Sequence, residues 1–346
     1  MISDAKPHKS FADTGHVPSG SGAARHGERS GTDGDRALCG WRVASAVPLS
    51  GLPQWRGDDR AADIVVTVGP VPDRLPDLIL DQPPVQISAD GACRFAVPDV
   101  AAYLIDPAGR RVAIDPVAGA STEDIRIFLL GTVLGILCAR RGILPLHAAC
   151  VQVGDGAVAL AGASGMGKST LAAAFIQRGY RILSDDVTAV EVAGDHRVLV
   201  RPSLPRLKLC PDAMDRLMMP ADAAERALRD AGKFIIPVDD HFHPAPLPLT
   251  AVVHLRPAPD GMPSTLHRLS GIQGLAAIAD DVYRPILTRW LDQADRLARV
   301  SFAMAGAPGG CWQLSYRHDP DGPEAAVDRI LDALAAPVRA SSGNPR

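Results

Sequence analysis

The chain has 346 residues, 47% of them hydrophobic but only 4% aromatic, and a formal net charge of -3. That length suffices for two or three domains with a core of aliphatic side chains. The balanced charge, with no basic block, argues against a dedicated nucleic-acid partner. The longest apolar run, residues 127–138, falls short of the about 20 residues that a membrane helix needs, and reads as a buried helix. Cys39, Cys93, Cys138, Cys150, Cys210 and Cys311 are scattered without a C-x-x-C pair. They read as reduced thiols of a cytosolic protein, neither a disulfide framework nor a zinc site. The N-terminus shows no charged-then-apolar signal pattern.

In chain order, residues 1–38 are rich in Gly, Ser, Asp and His and predict a disordered tail. Ordered patterns begin near Trp41. Residues 62–68, 91–97, 102–105 and 111–114 read as short strands, making a small β-rich domain over 39–118. Residues 122–140 read as one helix, with Thr122 as N-cap, Glu123 and Asp124 in the first turn, and Arg140 and Arg141 before Gly142. This helix, within 119–145, connects to a second domain over 146–337, and 338–346 reads as a loose tail.

The second domain opens with a strand pattern at 146–153, a hairpin signal at Gly154-Asp155-Gly156 and an apolar strand at 157–161. A helix over 169–177 ends at Gly179, a suitable C′ residue. The strand at 181–184 runs into Asp185-Asp186. Further strands follow at 188–192 and 198–200, then a Pro-punctuated segment at 202–211 and a helix near 212–229. A strand at 251–255 and helices at 271–279, 285–299 and 323–335 complete the pattern. Residues 269–274 superficially resemble an ABC-transporter signature. They lie far beyond the acidic strand end that such a signature precedes, and read as a loop and helix start.

Between strand and helix stands Gly162-Ala163-Ser164-Gly165-Met166-Gly167-Lys168-Ser169, a complete G-x-x-x-x-G-K-[ST] phosphate loop followed by Thr170. Its glycines let backbone N–H groups turn toward an anionic phosphate chain. Lys168 is suited to the β/γ-phosphates and the Ser169 hydroxyl to Mg²⁺. The positive end of the following helix would face the same anion. ATP and Mg²⁺ are therefore the expected cofactors. In a β-α-β unit the strand ending at Asp185-Asp186 runs parallel to the strand before the loop, so both acids reach the phosphate edge. One carboxylate can hold the metal while the other accepts a proton. Adjacent strand residues point to opposite faces, which leaves open which acid is the base.

Counting back through the hairpin puts His147 beside Gly162 to Ser164. There it could contact phosphate or orient an acid, though a strand histidine reads equally well as a satisfied core residue. Arg206, Lys208 and Lys233 are candidate phosphate or substrate contacts, with surface charge the competing reading.

His147, the loop 162–169 and Asp185-Asp186, in this order and spacing, resemble the catalytic domain of bacterial HPr kinase/phosphorylase, a P-loop serine kinase family. The resemblance is specific over about 146–200 and looser to about 335. It implies an α/β fold with a P-loop kinase domain behind a small β-rich domain. It also implies Asp185 as the base, Asp186 as metal support, His147 assisting, a serine-bearing peptide or small protein as acceptor, and a homo-oligomer. Residues 201–209 lack the Glu and Gly of that family's downstream signature, which argues against its phosphorylase activity and against HPr as acceptor. The whole chain resembles the HPr-kinase-related proteins of lasso-peptide clusters, which phosphorylate a serine near a precursor's C-terminus. A P-loop small-molecule kinase and a non-catalytic nucleotide-binding module are the rival readings.

Overall fold

The computed structural model describes residues 34–216, 225–226, 232–258, 262–291, 294–316 and 322–336. Residues 1–33 of the predicted tail at 1–38, the predicted tail at 338–346 and most of the predicted helix near 212–229 lie outside the described residues. The described part is mixed α/β with two large sheets.

The first sheet holds β1 (Arg36–Leu38), β2 (Trp41–Ser45), β3 (Ile64–Val68), β4 (Leu78–Gln82), β5 (Val85–Ser88), β6 (Cys93–Val97), β7 (Ala101–Ile105) and β8 (Arg111–Pro116). Its order is β1-β2-β3-β8-β7-β6-β5-β4. Buried residues alternate along β6 and β7, so Cys93, Phe95, Val97, Ala101, Tyr103 and Ile105 share the covered face. Composition places Arg36–Leu38 in the tail, yet these residues pair with β2. The two-residue turn Cys39-Gly40, with φ of 53° and 74°, closes that hairpin.

The predicted helix at 122–140 is continuous but not uniform. It comprises α1 (Thr122–Phe128), a π-helical turn at Leu129–Val133, and α2 (Leu134–Arg140). The cap is Ser121 rather than Thr122, because the Ser121 hydroxyl accepts from the Asp124 N–H at 3.0 Å. Every residue from 129 to 139 is buried, which is what the apolar run encodes. The helix covers the first sheet, and the Tyr103 hydroxyl donates to the Ile125 carbonyl at 2.9 Å. Val187, Ala189, Leu204, Leu287 and Leu291 join the same apolar core.

The rest of the chain forms β9 (Leu144–Leu146), β10 (Ala148–Val153), β11 (Gly156–Ala161), α3 (Lys168–Gln177), β12 (Ile182–Ser184), β13 (Thr188–Val192), β14 (Val198–Arg201), β15 (Arg206–Leu209), α4 (Pro211–Arg216), β16 (Glu225–Arg226), β17 (Phe234–Pro237), β18 (Leu247–Pro257), β19 (Thr265–Arg268), α5 (Gly271–Asp280), α6 (Pro285–Trp290), α7 (Ala294–Ala305), β20 (Gly310–Tyr316) and α8 (Gly322–Ala335). The second sheet runs β12-β10-β11-β18-β14-β13-β9, with β20 beside β18 and β19 beside β20. β15, β17 and β16 make a small third sheet.

β11, β18 and β20 are parallel, whereas β10 is antiparallel to both β11 and β12. β12 therefore points the same way as β11, as the β-α-β count requires, with β10 between them. Residues of α3 and α8 pack on one face of this sheet and residues of α5 and α7 on the other. The C-terminal ends of β11, β12 and β18 share one edge, the edge at which open α/β sheets bind ligands.

The strand predicted at 146–153 breaks at His147. Leu146 pairs with β13 while Ala148 pairs with β11, and the His147 N–H leaves both ladders to donate to the Asp281 carbonyl at 2.7 Å. The helix predicted at 285–299 is likewise two helices, α6 and α7. Ser270 caps α5 with a complete capping box, in keeping with the helix start read at 269–274.

Candidate functional site

The β10–β11 hairpin turns on Gly154 and Asp155 and pairs Val153 with Gly156 and Ala148 with Ala161. One step further, the Gly162 N–H donates to the His147 carbonyl at 3.3 Å. The hairpin thus sets His147 at the root of the glycine loop, where counting put it. Gly162 has φ of 150°, and a Cβ there would lie 2.8 Å from the Leu255 carbonyl of β18. Only glycine lets the loop leave the sheet so close to the neighbouring strand. Gly165 and Gly167 both have φ of 84°, and Gly167 caps α3.

Lys168 opens α3 and folds back across the loop. Its Nζ donates to the carbonyls of Gly162 at 2.7 Å and Ala163 at 2.9 Å. Burial lowers its pKa, against the opposing pull of Asp185 and Asp186.

The two aspartates have opposite surroundings. Asp185 is 3% exposed. Its Oδ1 accepts from the Ser169 hydroxyl at 2.8 Å and its Oδ2 from the Lys208 N–H at 2.8 Å. Burial raises its pKa, with the charge of Asp186 adding to the effect. Asp186, at a left-handed φ of 76°, turns the other way and lines a cavity. Its Oδ2 accepts from Lys208 Nζ at 2.9 Å, and its Oδ1 lies 3.6 Å from His147 Nε2. Burial pushes the Asp186 carboxyl up, but Lys208, His147 and Lys168 together hold it below the ordinary value. Burial, with the charge of Lys168 second, pulls the His147 imidazole down to about 4. At neutral pH His147 is therefore uncharged, and it stands just beyond hydrogen-bond reach of Asp186.

These groups surround a cavity of about 720 Å³, a size suited to a small ligand. Ser164, Gly165, Gly167, Lys168, Ser169 and Thr170 line it from the loop, with His147, Asp186, Lys208 and Lys233. Ala163 contributes a carbonyl to Lys168, while Met166 packs against the core beside α3. Arg206 precedes Lys208 by two residues on β15 but does not line the cavity. Lys208 does line it, engaged with the two acids.

Sequence reading missed the rest of the lining. Ile127, Phe128, Gly131 and Thr132 contribute to it from α1 and the π-helical turn, Cys210, Asp212 and Ala213 from the start of α4, and Tyr283 and Arg284 from the segment before α6. Tyr283 packs edge-on against His147, ring centroids 5.8 Å apart, and its N–H donates to the Pro145 carbonyl at 2.8 Å. Nearby, the Asp281 carboxylate lies 2.7 Å from buried His254 Nδ1 and 3.2 Å from Arg256 Nη1. The signal available in the sequence was the run Asp281-Val282-Tyr283-Arg284-Pro285, a chain break between two helices with an aromatic and a cation at its tip.

The residues present suit the implied groups. A glycine turn at a helix start offers backbone N–H groups to an anion. Ser169 and Asp185 set two hard oxygens side by side, the donor type Mg²⁺ prefers when phosphate and water complete its shell. Among the described residues no group of three or more His, Cys, Asp or Glu side chains forms a metal cage of its own.

No family model matches the chain, and no curated protein matches it. Among solved structures, the chain is similar to the HPr(Ser) kinase/phosphatase from Coxiella burnetii at 20% identity and a TM-score of 0.23, the match covering 36% of this chain and 77% of that one.

Proposed function

We propose that this chain is an ATP- and Mg²⁺-dependent kinase that phosphorylates a hydroxyl, in the first instance a serine of a peptide or small protein. The observation that carries the reading is the arrangement of Asp186 and His147. They face the same cavity as the glycine loop, while Asp185 is withdrawn behind Ser169. A nucleotide-binding switch has no need of a second, cavity-facing acid.

The surroundings of the acids favour the reverse of the roles that the family resemblance implies. Both oxygens of Asp185 are engaged in the interior, and its Ser169 partner is the loop hydroxyl, so Asp185 and Ser169 would hold Mg²⁺. Asp186 has the access to take a proton from an attacking hydroxyl. Its pairing with Lys208 keeps it ionised, and neutral His147 can orient it or the hydroxyl. Lys168 and the loop amides would bear the charge of the transferring phosphoryl group, and bound Mg²⁺ would share that charge. The missing acid and glycine in 201–209 favour a kinase without phosphorylase activity. A serine near the C-terminus of a lasso-type precursor is the finer acceptor reading.

The test is transfer from Mg-ATP to serine peptides, followed by mass spectrometry. Asp186→Asn should remove transfer, at least about a hundredfold for loss of a base, and leave nucleotide affinity within about twofold. Undiminished transfer by that variant would sink the base assignment. ATP binding without any phosphorylated product would favour the non-catalytic module.

A further inference from the structure

We propose that Arg284 reads a carboxylate on the phosphoryl acceptor, an inference that rests on the kinase reading above. Among the described residues the cavity is lined by four cations, Lys168, Lys208, Lys233 and Arg284, and two acids, Asp186 and Asp212. Lys168 belongs to the glycine loop and Lys208 is paired with Asp186. Lys233 acts electrostatically on Lys168 and His147, the groups beside the glycine loop. Arg284 stands instead beside Tyr283.

Its placement is built. Arg284 has φ of 48° and ψ of 65°, a left-handed conformation that a non-glycine residue adopts only where its surroundings impose it. Pro285 follows and disfavours the ordinary helical alternative. Ahead of it, Val282 bridges to Leu146 and the Tyr283 N–H is tied to Pro145, so the segment is stitched along β9. Tyr283 fills the notch left by two helix glycines: a Cβ on Gly135 would lie 2.8 Å from its ring and one on Gly131 3.7 Å from its hydroxyl. The guanidinium lies 5.7 Å from the centroid of the Tyr283 ring. Arg284 is exposed at the cavity wall, while Gly131 and Thr132 in that wall belong to the π-helical turn, an irregularity frequent at functional sites.

Direct phosphoryl transfer brings the acceptor hydroxyl to the base on the side away from the leaving nucleotide. His147 meets the loop through its backbone and Tyr283 through its ring, so an acceptor at Asp186 would lie against the Tyr283–Arg284 wall. A planar guanidinium there matches a carboxylate fork to fork. The carboxylate could belong to an acidic residue flanking the serine or to the C-terminus of the acceptor peptide.

The experiment compares wild type, Arg284→Gln and Arg284→Glu with Mg-ATP and synthetic serine peptides. One set carries acidic, neutral or basic flanks, and the other ends in serine as a free acid or an amide. Wild type should favour carboxylate-bearing peptides by about tenfold in kcat/KM, the scale of one charge-assisted hydrogen bond. Arg284→Gln should erase that preference and Arg284→Glu should turn it toward basic flanks, both with ATP affinity unchanged. Sensitivity to amidation would assign the C-terminal carboxylate, and sensitivity to flank alone the side chain. Transfer by wild type without charge preference would overturn the proposal, as would variants that lose ATP affinity. ATP binding with transfer to no peptide would instead overturn the kinase reading beneath it.

Discussion

Asp185 and Asp186 follow the same strand, yet one extends into the interior and the other turns left-handed into a cavity. Their variants should separate cleanly. Asp185→Asn should weaken the Mg²⁺ dependence of nucleotide binding, measured by titration with and without the metal. Asp186→Asn should spare binding and remove transfer. His147 makes a pH prediction. Its pKa falls from an ordinary 6.5 to about 4 in the folded chain, so the unfolded chain binds the proton more readily. Its contribution to stability is complete above about 6.5, declines as pH falls toward about 4, and is flat below that. Denaturant melts across this window should show a smaller acid loss for His147→Gln than for wild type. An imidazole NMR titration near 6.5 for His147 would contradict the burial argument.

At the scale of elements, the helix 122–140 carries the cavity wall as well as the core. Gly135→Ala places a Cβ 2.8 Å from the Tyr283 ring, which must then move against His147. Such a variant should keep its circular dichroism spectrum while losing transfer rate severalfold. The capping box of α5 is formed by Ser270 and Gln273, neither of which lines the cavity. Ser270→Ala should cost about 1 kcal/mol in denaturant unfolding and leave transfer unchanged.

For the whole molecule, the first sheet and the site share the α1–α2 helix. Arg141 at its end donates to the Gly109 carbonyl at 3.0 Å and the Asp63 carbonyl at 2.8 Å, and stacks on Trp41 at 4.8 Å. Leu134 is fully buried in the core that contains both residues of this sheet and Leu287 and Leu291, in and at the end of α6. Leu134→Ala should cost about 2–5 kcal/mol, read by chemical denaturation, and lower transfer through the displaced wall. No helix among the described residues is long and apolar enough to cross a membrane, consistent with the interior role of the apolar run at 127–138.

Much of the site was legible in the sequence because it is local. The glycine loop, its strand and its helix are contiguous. The two-residue hairpin carries His147 to Gly162 by register, and the β-α-β count carries the acids to the same edge. What was illegible depended on distant partners. β15 hid among prolines, and its pairing with β17 is what brings the Lys208 N–H to Asp185 and the Lys208 ammonium to Asp186. β20 gave no alternating pattern, and its place between β18 and β19 is set by pairing with strands that lie dozens of residues earlier in the chain.

The sequence by itself determined the phosphate-loop motif, its flanking strand and helix, and the company of one histidine and two acids, since short-range sterics and register decide those. Only the tertiary structure decided which acid looks into the cavity and which cation from the distant segment before α6 joins its lining. Those outcomes turn on one left-handed residue at Asp186, another at Arg284, and contacts between segments up to a hundred or more residues apart, which no local pattern encodes.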